Sequence, residues 1–171
     1  MIKKILIALL AMVLVLAAAV GINTARKGSR QMLVEPLAPV AVDEAAVAAH
    51  LAETVRLKTI SSRDDANLNA DQFKAFHALL QTRFPKTHAA LKREVVGDLS
   101  LLYTWEGADP QAKPILLMAH QDVVPVAPGT EGDWAVAPFA GEVKDGFVWG
   151  RGSWDDKGNL LSQLEAVEML V

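Results

Sequence analysis

Lys3 and Lys4 are followed by an unbroken apolar run from Ile5 to Ile22, and this run constrains the chain more than any other feature. As a helix it would be roughly 27 Å long at ~1.5 Å per residue, close to the roughly 30 Å of a bilayer's hydrocarbon core. It has no polar face, so it does not suit a helix laid against a soluble core. Two readings remain. A secretory signal would end at the small residues Ala17-Ala18-Ala19. An uncleaved anchor fits better, because the run is longer than most signal sequences and Arg26, Lys27 and Arg30 follow it. The usual outcome for such a segment places the rest of the chain outside the cytoplasm, although positive charge flanks both ends. Signal cleavage would instead release a secreted or periplasmic protein. The expected organisation is therefore an anchor over 1–30, a tether over 31–42 and a folded body over 43–171. The tether, QMLVEPLAPVAV, holds two prolines and no helical period.

The body is acidic. Five of the 17 Lys/Arg and none of the 20 Asp/Glu lie in residues 1–34, which leaves twelve basic against twenty acidic residues, or −8. That balance excludes the basic surface nucleic-acid binding needs. With 51% hydrophobic and 22% charged residues, disorder throughout is excluded as well. There are no cysteines. A disulfide scaffold, a thiolate metal site, an iron–sulfur cluster and a cysteine nucleophile are all ruled out. Any metal must be held by His, Asp or Glu.

Within the body, Asp43 is placed to cap a helix running to about Lys58, with Val47, Leu51, Val55 and Leu57 on or near one face. Residues 59–68 read as loop. A second helix runs from about Asn69 to Phe84 and ends at Pro85. Strands are expected at 91–96 and 99–105. ILLMA, 115–119, is a short apolar run between turn signals, the pattern of a strand buried on both faces of an α/β sheet. A loop rich in Pro and Gly covers 121–141. EVKDGFVW, 142–149, reads as a hairpin turning at Asp145-Gly146. From about Lys157, apolar residues recur at helical spacing as far as Val171. No Gly or polar ending closes that pattern, which reads as truncation.

Two clusters stand out chemically. His120 and Asp122 follow the ILLMA segment, where α/β folds place ligands. An imidazole there can bind a divalent metal, and a carboxylate two residues on can accept its other N–H. Taken alone, His-x-Asp also describes an ordinary surface loop. Asp155 and Asp156, in GRGSWDDKG, are adjacent carboxylates that favour a nearby cation. Taken alone, they also describe a solvated helix N-cap. GRGS lacks the later glycine of a dinucleotide fingerprint and the Gly-Lys-Ser/Thr of a phosphate loop. His50, His77 and His88 read as structural or solvated. Asp64-Asp65 reads as solvent-facing, and Ser61-Ser62 lacks the glycines of a nucleophile elbow.

LLMAHQDVVP, then Trp134 with APFAGEVKDGFVWGRGSWDDKG, closely resembles the zinc-dependent aminoacylase/carboxypeptidase metallopeptidase family. The start of the chain and VAVDEAAVAAHLAETVRLKTIS resemble its carboxypeptidase S and N-acyl-amino-acid hydrolase branch. The likeness spans roughly 40–171. It implies an α/β fold, a three-layer zinc-peptidase-like catalytic domain of which this chain carries an incomplete N-terminal part. It implies two Zn2+ ions in the complete active site, with His120 as the first metal ligand and Asp155 as the carboxylate bridging both. Asp122 matches the active-site acid that holds the imidazole. Asp156 matches a position where the family often has a cis peptide. The general base, the remaining ligands and an inserted dimerisation or lid domain are expected further along a longer chain. The implied activity is amide hydrolysis of peptides or N-acyl amino acids, in a protein that is a homodimer when complete. Two other readings stand beside it: a catalytically inactive binding domain that keeps the fold, and a deacylase of an amino-acid biosynthetic intermediate.

Overall fold

The computed structural model describes residues 1–29, 31–36, 38–65 and 67–171. Arg30, which the sequence places beside the apolar run, and Leu37, within the tether, lie outside the described residues. The chain divides into two units, Met1–Val40 and Ala41–Val171. The first is built on α1 (Ile2–Arg26), a 25-residue helix with no buried residue. Its best 18-residue window has a mean hydropathy of 3.1, long and apolar enough to cross a membrane.

In the second unit, α2 (Glu44–Arg56) starts where the sequence predicts, with the Asp43 carboxylate accepting from the Ala46 amide at 3.0 Å. The second expected helix is α3 (Ala70–Arg83). Pro85 does end it, but the same proline opens a further short helix, α4 (Pro85–Ala90), which the sequence did not announce. Pro fits the first turn of a helix because its missing N–H has no intrahelical partner there. His88 therefore lies in a helix rather than a loop. Its Nδ1 lies 2.7 Å from the Phe84 carbonyl and its Nε2 2.9 Å from the Tyr103 hydroxyl. Since a carbonyl only accepts, Nδ1 carries the proton and Nε2 accepts from the phenol.

Two antiparallel hairpins follow, β1 (Lys92–Val96) with β2 (Ser100–Thr104), and β3 (Glu142–Lys144) with β4 (Phe147–Trp149). The second turns at Asp145 and Gly146, both at positive φ, as a two-residue hairpin requires. The last helix is α5 (Lys157–Leu170). Phe76 and Leu80 of α3, Phe84, and Leu161 and Leu164 of α5 form the buried core, with Leu57, Leu101 and Leu160 packed against it. Lys157 is wholly buried at the start of α5. Its ammonium donates to the Thr54 and Leu57 carbonyls at 2.8 and 2.7 Å, tying α5 to the end of α2.

The expected strand at 115–119 is not formed. No ladder partner pairs with it among the described residues, and Ile115 to Met118 are 61–88% exposed. An apolar run on both faces announces burial on both faces, but burial needs neighbouring elements, and among those described only α5 reaches it, through bonds to the Met118 carbonyl. The one parallel pairing described is the bridge between Ile60 and Val123 just beyond. The mixture of helix and strand agrees with the sequence; the layered parallel sheet is not built by the described residues.

Candidate functional site

The extended segment around Met118 is held by the first turns of α5. Asn159 and Gln163 donate their side-chain amides to the Met118 carbonyl at 3.3 and 3.1 Å. The His120 amide donates to Asp156 Oδ2 at 3.0 Å. Asp156 is the N-cap residue of α5, yet its carboxylate makes no capping bond and faces His120 instead. The Asp155–Asp156 peptide is cis, as the resemblance implied.

Past His120 the chain is fixed by residues 59–61. The Val123 amide donates to the Thr59 carbonyl at 2.9 Å, and the Ser61 amide to the Val123 carbonyl at 3.4 Å. Gly152, in the turn before Asp155, packs against this stretch. At φ +86°, a Cβ there would lie 2.5 Å from Val123 Cγ1, so only glycine lets the turn approach the His120–Asp122 loop.

These restraints bring the three predicted residues together from two loops 35 positions apart. His120 Nε2 lies 2.9 Å from Asp155 Oδ1. Nδ1 hydrogen-bonds the main-chain carbonyl of Asp122 at 3.1 Å, with Asp122 Oδ1 at the same distance. Sequence reasoning expected the carboxylate alone; the carbonyl shares the role. The other carboxylate oxygen of Asp122 accepts from the Ser61 hydroxyl at 2.5 Å. Burial alone would lower the His120 pKa, but the bonds to Asp155 and Asp122 and the charges of Asp122 and Asp156 outweigh it and raise it. The imidazole is thus set among anions that favour a positive charge.

A cleft of about 230 Å³ opens beside this group, lined by His120, Asp122, Asp155, Trp134, Arg151 and Trp154 among others. The Arg151 guanidinium stacks over the Trp134 ring at 4.9 Å. Asp155 is 84% exposed, so a cation reaches it without displacing other side chains.

The donor chemistry fits a divalent cation in part. With Nδ1 held by Asp122, Nε2 is the free ligand atom, and it faces a carboxylate oxygen across a gap now bridged by a proton. One imidazole and one carboxylate do not complete a site. Among the described residues, no three His, Asp or Glu side chains are grouped to hold one metal. His50 and His77 stand elsewhere. His50 pairs with Glu165 at 2.7 Å, and His77 bonds Gln121 at 3.0 Å. Sequence reasoning missed Ser61, Thr59, Gln121, Asn159 and Gln163, since side chains that hold a loop from a distance leave no spacing signal.

Residues 116–171 match the model of Peptidase family M20/M25/M40. The chain is 39% identical over 158 residues to the probable carboxypeptidase S-like 2 of Dictyostelium discoideum, covering 88% of this chain and 30% of that one. It is 44% identical over 128 residues to carboxypeptidase S of Saccharomyces cerevisiae, covering 71% and 22%. It is 39% identical over 134 residues to the human N-fatty-acyl-amino acid synthase/hydrolase PM20D1, covering 77% and 25%. The chain thus spans between a fifth and a third of the length of these relatives.

Proposed function

The chain belongs to Peptidase family M20/M25/M40, and from that premise we propose that it carries part of the active site of a metal-dependent hydrolase of amide bonds in peptides or N-acyl amino acids. The observation that carries this reading is the meeting of His120 Nε2 with Asp155 Oδ1 while Asp122 holds Nδ1. The layered α/β catalytic domain of the family, two zinc ions in the complete site and a homodimer of the complete protein belong to the same proposal. A relative named for hydrolysis of fatty-acyl amino acids and others named as carboxypeptidases support both substrate classes.

Zinc held at these residues would supply Lewis-acid chemistry for amide hydrolysis. His120 would hold zinc through Nε2 and Asp155 through its carboxylate. Asp122, braced by Ser61, sets the tautomer and direction of the imidazole. Trp134 and Arg151 form one wall of the cleft in which the substrate lies. The apolar α1 is long enough for a membrane anchor, and a hydrolase outside the cytoplasm belongs to the same proposal.

The test is metal analysis of the full-length enzyme. Wild type should carry about two zinc ions per chain, and His120→Ala should lose most of one, with activity. Unchanged stoichiometry and turnover in the variant would overturn the assignment.

A further inference from the structure

We infer that His77 is a positioning residue for the site, acting through Gln121 to aim His120 and Asp122 into the cleft. The inference rests on the reading of those two residues as site residues. His77 sits on α3, is only 7% exposed, and touches none of the groups that face the cleft. A buried imidazole needs a partner, and its Nε2 finds Gln121 Oε1 at 3.0 Å. The Gln121 amide nitrogen donates to the Leu99 carbonyl. Because a carbonyl can only accept, the amide orientation is fixed, its oxygen faces His77, and Nε2 carries the proton it donates. Burial outweighs the bond to Gln121 and lowers the His77 pKa from its ordinary value.

Gln121 lies between the two residues that matter. In extended backbone, successive side chains point to opposite sides. His120 and Asp122 line the cleft, and Gln121 does not. Its side chain is held from behind by α3 and by the turn between β1 and β2. Its carbonyl accepts from the buried Thr59 hydroxyl at 2.6 Å. Fixing the middle residue at both its side chain and its carbonyl stops the segment from rotating about its own axis. That rotation would swing His120 Nε2 away from Asp155. Without the His77 bond, the Gln121 side chain is left with the single bond from its nitrogen to the Leu99 carbonyl, and its amide oxygen loses the partner that sets its direction.

The test uses full-length protein with three variants: His77→Leu, which keeps bulk without a donor, His77→Gln, which restores an N–H near the place of Nε2, and Gln121→Met. For His77→Leu and Gln121→Met, kcat should fall about 10–100-fold while KM stays within about twofold. Exchange of the His120 and Val123 amides should quicken about tenfold in the same two variants. His77→Gln should restore most of both. A folded His77→Leu with wild-type kcat and exchange, even if less heat-stable, would reduce His77 to a packing residue. Should His77→Leu not fold, Gln121→Met, at a half-exposed loop position, carries the same comparison. If the wild type itself hydrolyses no amide, the proposed function fails, and the exchange rates still decide the role of His77.

Discussion

Lys157 lies beside the site in sequence but serves the interior. Burial lowers its pKa from 10.5 to about 8, and its ammonium donates to two carbonyls at the end of α2. Each carbonyl also accepts one backbone amide, Leu57 on Thr54 and Thr59 on Leu57, so Lys157→Met removes the second, charged bond to each and should cost about 1–3 kcal/mol. The pH dependence has a definite sign. Between about 8 and 10.5 the unfolded chain holds a proton that the folded chain has released, so this residue adds stability as pH rises through that window. Urea unfolding of the wild type and Lys157→Met on either side of the window checks this; an unchanged difference between them would contradict it. Residues of this kind are hard to read in advance. His120, Asp122 and Asp155 were legible because their own neighbours carry the pattern. Ser61 and His77 were not, because Ser61 braces Asp122 from 61 positions away and His77 reaches Gln121 from 44. No local spacing encodes such a bond.

Elements follow the same division. The starts of α2 and the β3–β4 hairpin were legible, since Asp43 caps the one locally and Asp145-Gly146 turns the other. Helix α4 was not. Six residues are too few to hold a helix in isolation, and its N-terminal cap comes from α5. The Glu168 carboxylate accepts from the Lys86 amide at 2.9 Å, the Thr87 amide at 2.7 Å and the Thr87 hydroxyl at 2.8 Å. Removing a capping acceptor costs roughly 1 kcal/mol, so Glu168→Ala should destabilise the unit by about that much. Partial burial would raise the Glu168 pKa, but the three bonds outweigh it and the net shift is downward. A folded-state pKa below the unfolded value means the contribution is present above the ordinary carboxylate range and is lost as pH falls through the lowered value. The stability gap between wild type and Glu168→Ala should therefore close in acid. A gap that persists there would show the loss to be packing. The ILLMA segment is the opposite case: its pattern was plain, but apolarity on two faces does not say which elements cover them.

At the scale of the whole molecule, the two units carry different predictions. If α1 is an anchor, N-terminal sequencing of the mature protein should begin at or next to Met1, whereas a start near Val20 would show a cleaved signal. The second unit bears on activity. A catalytic zinc usually has three protein ligands, and among the described residues this unit brings together the facing atoms of His120 and Asp155, with Asp122 in support. A general base is a further requirement, typically worth about 10²–10⁴ in rate. Neither count depends on the exact shape of the cleft. Residues 1–171 by themselves should therefore hydrolyse no amide, and should bind zinc weakly. They should also self-associate, because Ile115, Leu116, Leu117 and Met118 expose an unpaired apolar stretch of backbone. Residues 31–171, free of the apolar helix, allow the direct measurement: incubation with zinc and an N-acyl amino acid against a metal-only control. Turnover above that control, abolished by Asp155→Ala, would mean that the two loops around His120 and Asp155 suffice for catalysis, and that the ligand count is not the limit it is taken to be.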